Sequence, residues 1–268
     1  MADGRLKGKV AIVTGAGGGM GRAYALHLAA LGADIAIFDK DLGVGKRYGE
    51  YSGESVAQEI RDLGRRVIAI EADLSKRSEA TDAVEQAVRD LGRLDILVNN
   101  AGGSFTPADR SFATTVPDED IETMIGANFL SAVYCCQAAA PLITKPGGSI
   151  INVVTFGVFA SDSTGQGAVY SAAKAALHTY TRHLAVEVGP QGIRANCLAP
   201  GMILTPRVAA AAAGRQLGTP EQVKSIPLRR FGQIDDMVGT VEFLASDMSK
   251  YITGECICVT GGLGLVVI

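Results

Sequence analysis

A tyrosine and a lysine one helical turn apart carry the most informative chemistry in this sequence. Tyr170 and Lys174 lie in the segment AVYSAAKAAL, and their spacing of four residues places both on one face of a predicted helix. A phenol has a pKa of about 10, and a nearby ammonium lowers such a value by about 1–3 units. Tyr170 could therefore exchange a proton with a hydroxyl or carbonyl group near neutral pH, with Lys174 stabilising the phenolate.

A second hydroxyl near Tyr170 could hold the oxygen that reacts. The strand SIINVV (149–154) runs into Thr155, whose hydroxyl donates and accepts hydrogen bonds as a serine does. Its extra methyl restricts rotation and narrows the pocket. Ser161 and Ser163 are alternatives if the following loop folds back. A degraded site, without any such hydroxyl, is the third possibility.

A glycine-rich turn supplies a candidate phosphate site. The segment TGAGGGMGRA (14–23) follows a short apolar strand and opens a helix. Glycines at 15, 19 and 21 would let a pyrophosphate approach the backbone N–H groups at the helix start. The same glycines could serve only to pack a strand tightly against a helix. We take Gly15, Gly19, Met20 and Gly21 as candidate contacts of a dinucleotide cofactor.

An acidic residue then favours NAD over NADP. Asp39 ends the second predicted strand, where a carboxylate can accept hydrogen bonds from the adenosine ribose. It would repel the 2′-phosphate of NADP, and Gly18 has no basic side chain that could bind that phosphate instead. The basic loop residues Lys40, Lys46 and Arg47 are the opposing observation, since one of them could reach a phosphate.

Short Val/Ile/Ala-rich runs alternate with amphipathic stretches along nearly the whole chain. Strands that are apolar on both faces indicate a parallel sheet covered by helices on each side, which binds ligands at the carboxyl ends of its strands. We predict an α/β fold, a single-domain Rossmann-type doubly wound parallel sheet of about seven strands over residues 1–268. The predicted strands are 9–14, 33–38, 66–71, 94–99, 149–154, 193–199 and 255–260, and the predicted helices are 19–31, 53–63, 78–91, 118–140, 168–188 and 234–245.

Two segments interrupt this alternation. Residues 39–55 form a long glycine-rich polar loop, and residues 201–232 form an Ala-rich excursion punctuated by proline. Long loops in compact domains are usually functional or disordered. We expect the first to border the cofactor and the second to form a lid over the substrate.

Composition restricts the partners. The 268 residues carry a net charge of −3, so no basic field is available to attract nucleic acid or anionic lipid. No apolar run reaches the ~18 residues needed to cross a membrane, and the first residues do not have the pattern of a signal peptide. The five cysteines include no C-x-x-C pair, and only three histidines occur, so no metal site is expected. We expect a cytoplasmic protein that binds small molecules.

Several motifs together resemble the short-chain dehydrogenase/reductase family over almost the whole chain. They are TGAGGGMG (14–21), Asp73–Leu74, NNAG (99–102), Asn128, Tyr170-x-x-x-Lys174 and Pro200–Gly201 with Thr205, in the family's order. The resemblance implies that Asp73 and Leu74 contact the adenine. It also implies that Asn100, Ala101 and Gly102 line the ribose, and that the backbone from Pro200 to Ile203 with Thr205 holds the nicotinamide carboxamide. Structural roles, such as turn stabilisation by Asn99 and Gly102, are the alternative.

The resemblance further implies a reaction. Tyr170 and Lys174 would serve an NAD-dependent secondary-alcohol dehydrogenase, with Lys174 also on the nicotinamide ribose and Asn128 holding a water linked to Lys174. The alternative for Asn128 is an amide that bridges a helix to its neighbour. The family's serine is missing, because the place where it commonly stands is Gly157, and strand alignment puts Thr155 there.

Substrate and assembly are the least constrained expectations. An apolar or ring-bearing alcohol would suit a pocket bordered by Phe156, Phe159, Met202 and the run 208–213. The family resemblance implies a homodimer or homotetramer, with helices 118–140 and 168–188 at the interface. An NADPH-dependent ketoreductase and a non-catalytic dinucleotide-binding regulator are the competing hypotheses.

Overall fold

The strands of the molecule follow the apolar runs of the sequence. The computed structural model describes residues 4–51, 53–161, 164–215 and 219–265. Within them the strands are β1 (Val10–Thr14), β2 (Asp34–Asp39), β3 (Val67–Glu71), β4 (Ile96–Asn99), β5 (Ser149–Val153), β6 (Arg194–Pro200), β7 (Ile203–Leu204), β8 (Gly232–Gln233) and β9 (Cys256–Val259).

Helices separate most of these strands. They are α1 (Gly19–Ala30), α2 (Val44–Arg47), α3 (Val56–Asp62), α4 (Arg77–Leu91), α5 (Asp118–Ile125), α6 (Ser131–Ala139), α7 (Ala168–Val188), α8 (Pro206–Arg215), α9 (Pro220–Ser225) and α10 (Asp235–Ala245). None of the helices in the described ranges is both long and apolar enough to cross a membrane.

Seven parallel strands form the main sheet, in the order β3-β2-β1-β4-β5-β6-β9. β1 lies between β2 and β4, so the chain reverses its direction of winding at β1 and opens a crevice at the carboxyl ends of β1 and β4. The predicted fold class is confirmed, and all seven predicted strands are present.

Burial explains why these segments become inner strands. Every residue of β1, β4, β5 and β6 is buried, because successive side chains point to opposite faces and both faces are covered by helices. In β1, Ala11 and Val13 join a core with α1 and α10, whereas Val10 and Ile12 join a core with α4 and α6.

Three segments differ in detail from their predicted form. The predicted helix 118–140 is interrupted by a π-helical turn at Gly126–Leu130 between α5 and α6. The loop 39–55 contains the short helix α2, and the excursion 201–232 contains α8, α9 and the small sheet of β7 with β8. The spacing of apolar residues could not predict these features, because each depends on contacts with residues that are distant in sequence. That 201–232 acts as a lid remains a prediction.

Candidate active site

The glycine turn between β1 and α1 is tightly packed beneath and open above. A Cβ at Gly21 would lie 2.0 Å from the carbonyl oxygen of Gly15, and one at Gly15 would lie 2.8 Å from the Cα of Ala101. Gly19 has a φ of +56° and nothing within 4 Å of its Cβ position. The turn therefore needs glycine on its packed side and leaves the Cβ side of Gly19 open, as the close approach of a phosphate requires.

The end of β4 is joined to this turn by hydrogen bonds. The hydroxyl of Thr14 accepts the backbone N–H groups of Asn100 (3.0 Å) and Ala101 (2.9 Å). The Asn100 side-chain amide donates to the carbonyl oxygens of Thr14 and Gly15, both at 3.1 Å. The two strand ends that flank the crevice are thus held in a fixed relation.

A cavity of about 690 Å³ opens above these strand ends, a volume suited to a dinucleotide and within the range of about 300–1,000 Å³ typical of ligand sites. Most of the predicted cofactor contacts share its wall. These are Gly15, Gly19, Met20, Asp39, Asp73, Leu74, Asn100, Ala101, Gly102 and Thr205.

Other predicted contacts lie outside that wall. Gly21 is beneath the turn, Pro200 ends β6, and Ile203 is buried in the core beside α10. A Cβ at Gly201 would lie 2.9 Å from the Cα of Thr260, so this glycine permits a close approach of two backbone segments. The Thr205 hydroxyl accepts the N–H of Val208 at 3.2 Å and so begins α8.

Asp39 lines the cavity at the end of β2. Its carboxylate accepts the N–H groups of Gly17 (2.8 Å) and Asp41 (3.1 Å), and further acceptor positions remain for a ligand. Burial raises the pKa of Asp39, against the opposing effects of the Gly17 and Lys40 N–H groups and the charge of Arg207.

The basic residues of the neighbouring loop are paired with acids. Lys40 binds Asp73 at 3.0 Å, and Arg47 binds Asp41. Burial raises the pKa of Asp73, but the hydrogen bonds from Ser75 and Lys40 lower it by more, so the pKa lies below its ordinary value. Two of the three basic residues that could reach a phosphate, Lys40 and Arg47, are therefore already paired with acids.

Tyr170 is in the first turn of α7, and Thr155 follows β5. The Thr155 hydroxyl is near enough to the Tyr170 phenol to favour its ionised form. The Thr155 hydroxyl also accepts the N–H of Gly157 at 3.3 Å and caps a 3-10 turn at Phe156–Val158. Burial raises the pKa of the Tyr170 phenol, and the Thr155 hydroxyl and the charge of Arg207 only partly oppose that rise.

Lys174 is almost completely buried one turn further along α7. Its ammonium donates to the carbonyl oxygen of Val153 at 2.8 Å, and burial lowers its pKa to about 8. The sequence predicted that Lys174 lowers the pKa of Tyr170. In this structure Thr155 and Arg207 lower the pKa of Tyr170, and the ammonium of Lys174 is directed at β5. The effect of Lys174 on Tyr170 remains a prediction.

Asn128 lies in the π-helical turn and is completely buried. Its side-chain amide donates to the carbonyl oxygens of Gly103 (3.0 Å) and Met124 (3.1 Å), and its oxygen accepts the Gly103 N–H at 2.8 Å. The side chain therefore bridges a helix to the loop after β4, as the alternative role considered for Asn128 requires. Its role in holding a water remains a prediction.

The remaining sequence candidates are more peripheral. Ser161 is exposed, while Ser163 and the side chains of 211–213 lie outside what the structure describes. The described cavity wall does not include Phe156, Phe159 or Met202. Phe156 packs at Gly264, Phe159 packs on His178, and Met202 borders a separate cavity of about 150 Å³.

Two charged residues that the sequence did not single out are near the cavity. Arg207 lines it, stacks on Phe105 at 5.6 Å, and acts by charge on both Asp39 and Tyr170. Glu50 accepts the N–H of Gly19 at 2.5 Å. Only the position of Arg207 directly after Thr205–Pro206 could have indicated its role, and nothing in the sequence pattern marks Glu50.

Comparisons with known proteins agree with this arrangement. A family model described as enoyl-(acyl carrier protein) reductase matches residues 15–264. A cyclohexanol dehydrogenase of Rhodococcus sp. (strain TK6) is 40% identical over 263 residues, which cover 96% of this chain and 97% of that protein. A 7alpha-hydroxysteroid dehydrogenase of Escherichia coli (strain K12) is 32% identical, covering 96% and 95%. The structure of a short chain dehydrogenase from Burkholderia cenocepacia J2315 in complex with NADP superposes with a TM-score of 0.84, at 32% identity, covering 97% of this chain and 99% of that one.

Proposed function

The chain belongs to the short-chain dehydrogenase/reductase family, and on that premise we propose that it oxidises a secondary alcohol to a ketone with NAD, reversibly. The observation that carries the proposal is the juxtaposition of Thr155 and Tyr170, one helical turn from the buried Lys174 and at the carboxyl edge of the sheet. A phenol, a second hydroxyl and an ammonium are what proton exchange with an alcohol requires.

In oxidation, Tyr170 takes the proton of the substrate hydroxyl while hydride leaves the carbinol carbon. Bound NAD supplies the hydride acceptor. In reduction, Tyr170 returns the proton to the carbonyl oxygen. Burial holds the pKa of the phenol high, so the positive charge of Lys174 and of the oxidised coenzyme must stabilise the phenolate. Thr155 donates to the substrate oxygen and keeps it beside Tyr170.

The coenzyme is held along the cavity from its adenosine end to its nicotinamide end. Asp39 accepts the adenosine ribose hydroxyls, Asp73 and Leu74 contact the adenine, and the turn at Gly15–Gly21 with Met20 binds the pyrophosphate. The segment 100–102 contacts the ribose, and Thr205 holds the carboxamide from the cavity wall. From outside that wall, Lys174 binds the nicotinamide ribose, and the backbone of Pro200, Gly201 and Ile203 holds the carboxamide.

The choice of NAD over NADP is supported by the local charges. Asp39 would meet the 2′-phosphate of NADP with like charge, while Lys40 and Arg47 are paired with Asp73 and Asp41. The NADP complex of the Burkholderia relative keeps an NADPH-dependent ketoreductase as the second candidate. Catalytic efficiency with each coenzyme decides between the two.

A ring-bearing secondary alcohol is the proposed substrate class. The relatives named for cyclohexanol and for a hydroxysteroid support it, as does the apolar face that Phe105 contributes to the cavity. We further propose that the protein is cytoplasmic and works as a homodimer or homotetramer.

Replacement of Tyr170 tests the mechanism. A coenzyme-absorbance assay over cyclic and linear secondary alcohols and their ketones should show turnover by the parent. Tyr170→Phe should lower turnover by about 10²-fold or more, because the proton acceptor is lost. Tyr180→Phe, on the same helix, should retain turnover and serves as the control. Equal rates for Tyr170→Phe and the parent would refute the mechanism, and coenzyme binding without turnover across the panel would favour a regulator.

A further inference from the structure

The loop after β2 covers the outer side of the glycine turn. We call residues 41–50, which include α2, the covering segment. The N–H of Gly45 donates to the carbonyl oxygen of Gly17 at 3.0 Å. A Cβ at Gly18 would lie 2.8 Å from the Cα of Gly45, so the covering segment occupies the space that a side chain at position 18 would need. Position 18 therefore cannot carry a basic side chain unless the covering segment moves.

Glu50, at the end of the covering segment, brings a carboxylate to the same point. One of its oxygens accepts the Gly19 N–H at 2.5 Å, and the other lies 3.2 Å from the Cβ position of Gly18. Asp39 accepts the N–H of Gly17. Two carboxylates therefore bind the residues before and after Gly18, which itself lines the cavity.

The carboxylate of Glu50 binds a backbone N–H group. Among the residues that the structure describes, no Lys or Arg side chain pairs with Glu50. Arg47 binds Asp41, and Arg22 binds Glu59 (Nε to Oε2, 2.8 Å). Glu50 is also not part of the cavity wall, whereas Gly19 and Met20 are, so the open side of the turn stays accessible to a pyrophosphate.

We propose that Glu50 is a coenzyme-selectivity residue, which acts with Asp39 to exclude the 2′-phosphate of NADP. The inference rests on the proposed use of NAD. The adenosine ribose is expected at Asp39, which binds the N–H of Gly17, two residues before the N–H that Glu50 binds. A 2′-phosphate on that ribose would therefore meet the part of the turn that carries both carboxylates. A single charge close to a phosphate changes binding by about tenfold at an effective dielectric constant between those of protein and water.

Equilibrium binding of NAD⁺ and NADP⁺, measured by calorimetry without substrate, tests the proposal. Glu50→Gln keeps an oxygen for the Gly19 N–H and removes the charge. It should lower the Kd of NADP⁺ by about tenfold and leave the Kd of NAD⁺ within about twofold. Glu54→Gln, an exposed acid in the same loop, should change neither value and is the matched control. Circular dichroism verifies that each variant is folded.

Ionic strength supplies a test that needs no variant. Because salt screens the repulsion, the ratio of the NADP⁺ Kd to the NAD⁺ Kd should fall as salt is raised in the parent, and should fall less in Glu50→Gln.

The failures are distinguishable. A parent that binds NADP⁺ more tightly than NAD⁺ would overturn the proposed coenzyme and this inference with it. A parent that prefers NAD⁺, with an unchanged Kd ratio in Glu50→Gln, would overturn only the role of Glu50. An equal gain for both coenzymes would mean that Glu50 competes with the pyrophosphate, and would also overturn the inference.

Discussion

Burial opposes the charged forms of both reactive side chains at the level of single residues. It raises the pKa of the Tyr170 phenol and lowers that of the Lys174 ammonium to about 8. Burial thus favours the neutral form of each group, but a lysine with a pKa of about 8 is still mostly charged at neutral pH, so its ammonium is available to stabilise the phenolate. Among the neighbouring side chains, Thr155 most favours ionisation of the phenol.

Thr155 should prove essential through its hydroxyl. Thr155→Ala is expected to lower turnover by about 10²-fold or more, because one donor to the developing oxyanion is lost. Thr155→Ser should stay close to the parent, since it keeps that donor. Steady-state kinetics of both variants, with Ser161→Ala beside them, decides the assignment. A large loss of turnover in Ser161→Ala, with none in Thr155→Ala, would assign the hydroxyl donor to Ser161 instead of Thr155.

Lys174 should give stability an identifiable pH dependence. Its folded pKa of about 8 lies below an unfolded value of about 10.4, so the unfolded chain binds more protons between these limits. Stability therefore rises with pH across that window, and the penalty for burying the charge is complete below about pH 8.

Lys174→Met removes this dependence. Relative to the variant, the parent should gain about 3 kcal/mol in its free energy of unfolding between pH 8 and 10.4. Urea unfolding of both proteins at several pH values measures the difference, and Lys250, an exposed lysine, gives the control variant Lys250→Met. A difference that is constant over this range would show that Lys174 titrates normally.

Among the structural elements, the glycine turn has the least tolerance for change. Gly21→Ala should weaken NAD⁺ binding at least tenfold and lower stability by about 1–3 kcal/mol, because its methyl would meet the Gly15 carbonyl at 2.0 Å. Gly239→Ala is the matched control, since this exposed glycine of α10 has nothing within 4 Å of its Cβ position. It should raise stability by about 0.5–1 kcal/mol. Calorimetric binding and urea unfolding test both, and normal NAD⁺ affinity in Gly21→Ala would contradict the packing.

The sequence predicted those elements whose signal is local. Val10–Thr14 and Ser149–Val153 are apolar on both faces, and that pattern fixes them as inner strands without knowledge of their neighbours. The reactive pair on α7 followed from a spacing of four residues. The site contacts of Glu50 and Arg207 could not follow, because each depends on how a loop with no periodic pattern folds over a distant turn.

Assembly belongs to the whole molecule. Val186, on the α7 helix that we expect at an interface, is 79% exposed. Light scattering should give two or four times the 27.8 kDa of the chain. Val186→Asp should shift that mass downward, since it would bury a charge at the contact. Leu63→Asp, at an exposed apolar position after α3, should not shift it. A monomeric parent would refute the expected interface.

The central position of β1 has a consequence for synthesis on the ribosome. Its partner β4 begins at Ile96, some eighty residues after β1 ends at Thr14. At about 5–20 residues per second, the nascent chain spends about 4–16 s before β4 can complete the pairing of β1. During that interval the apolar edge of an unfinished sheet is available to other nascent chains or to a chaperone, long before Tyr170 and Lys174 have been translated.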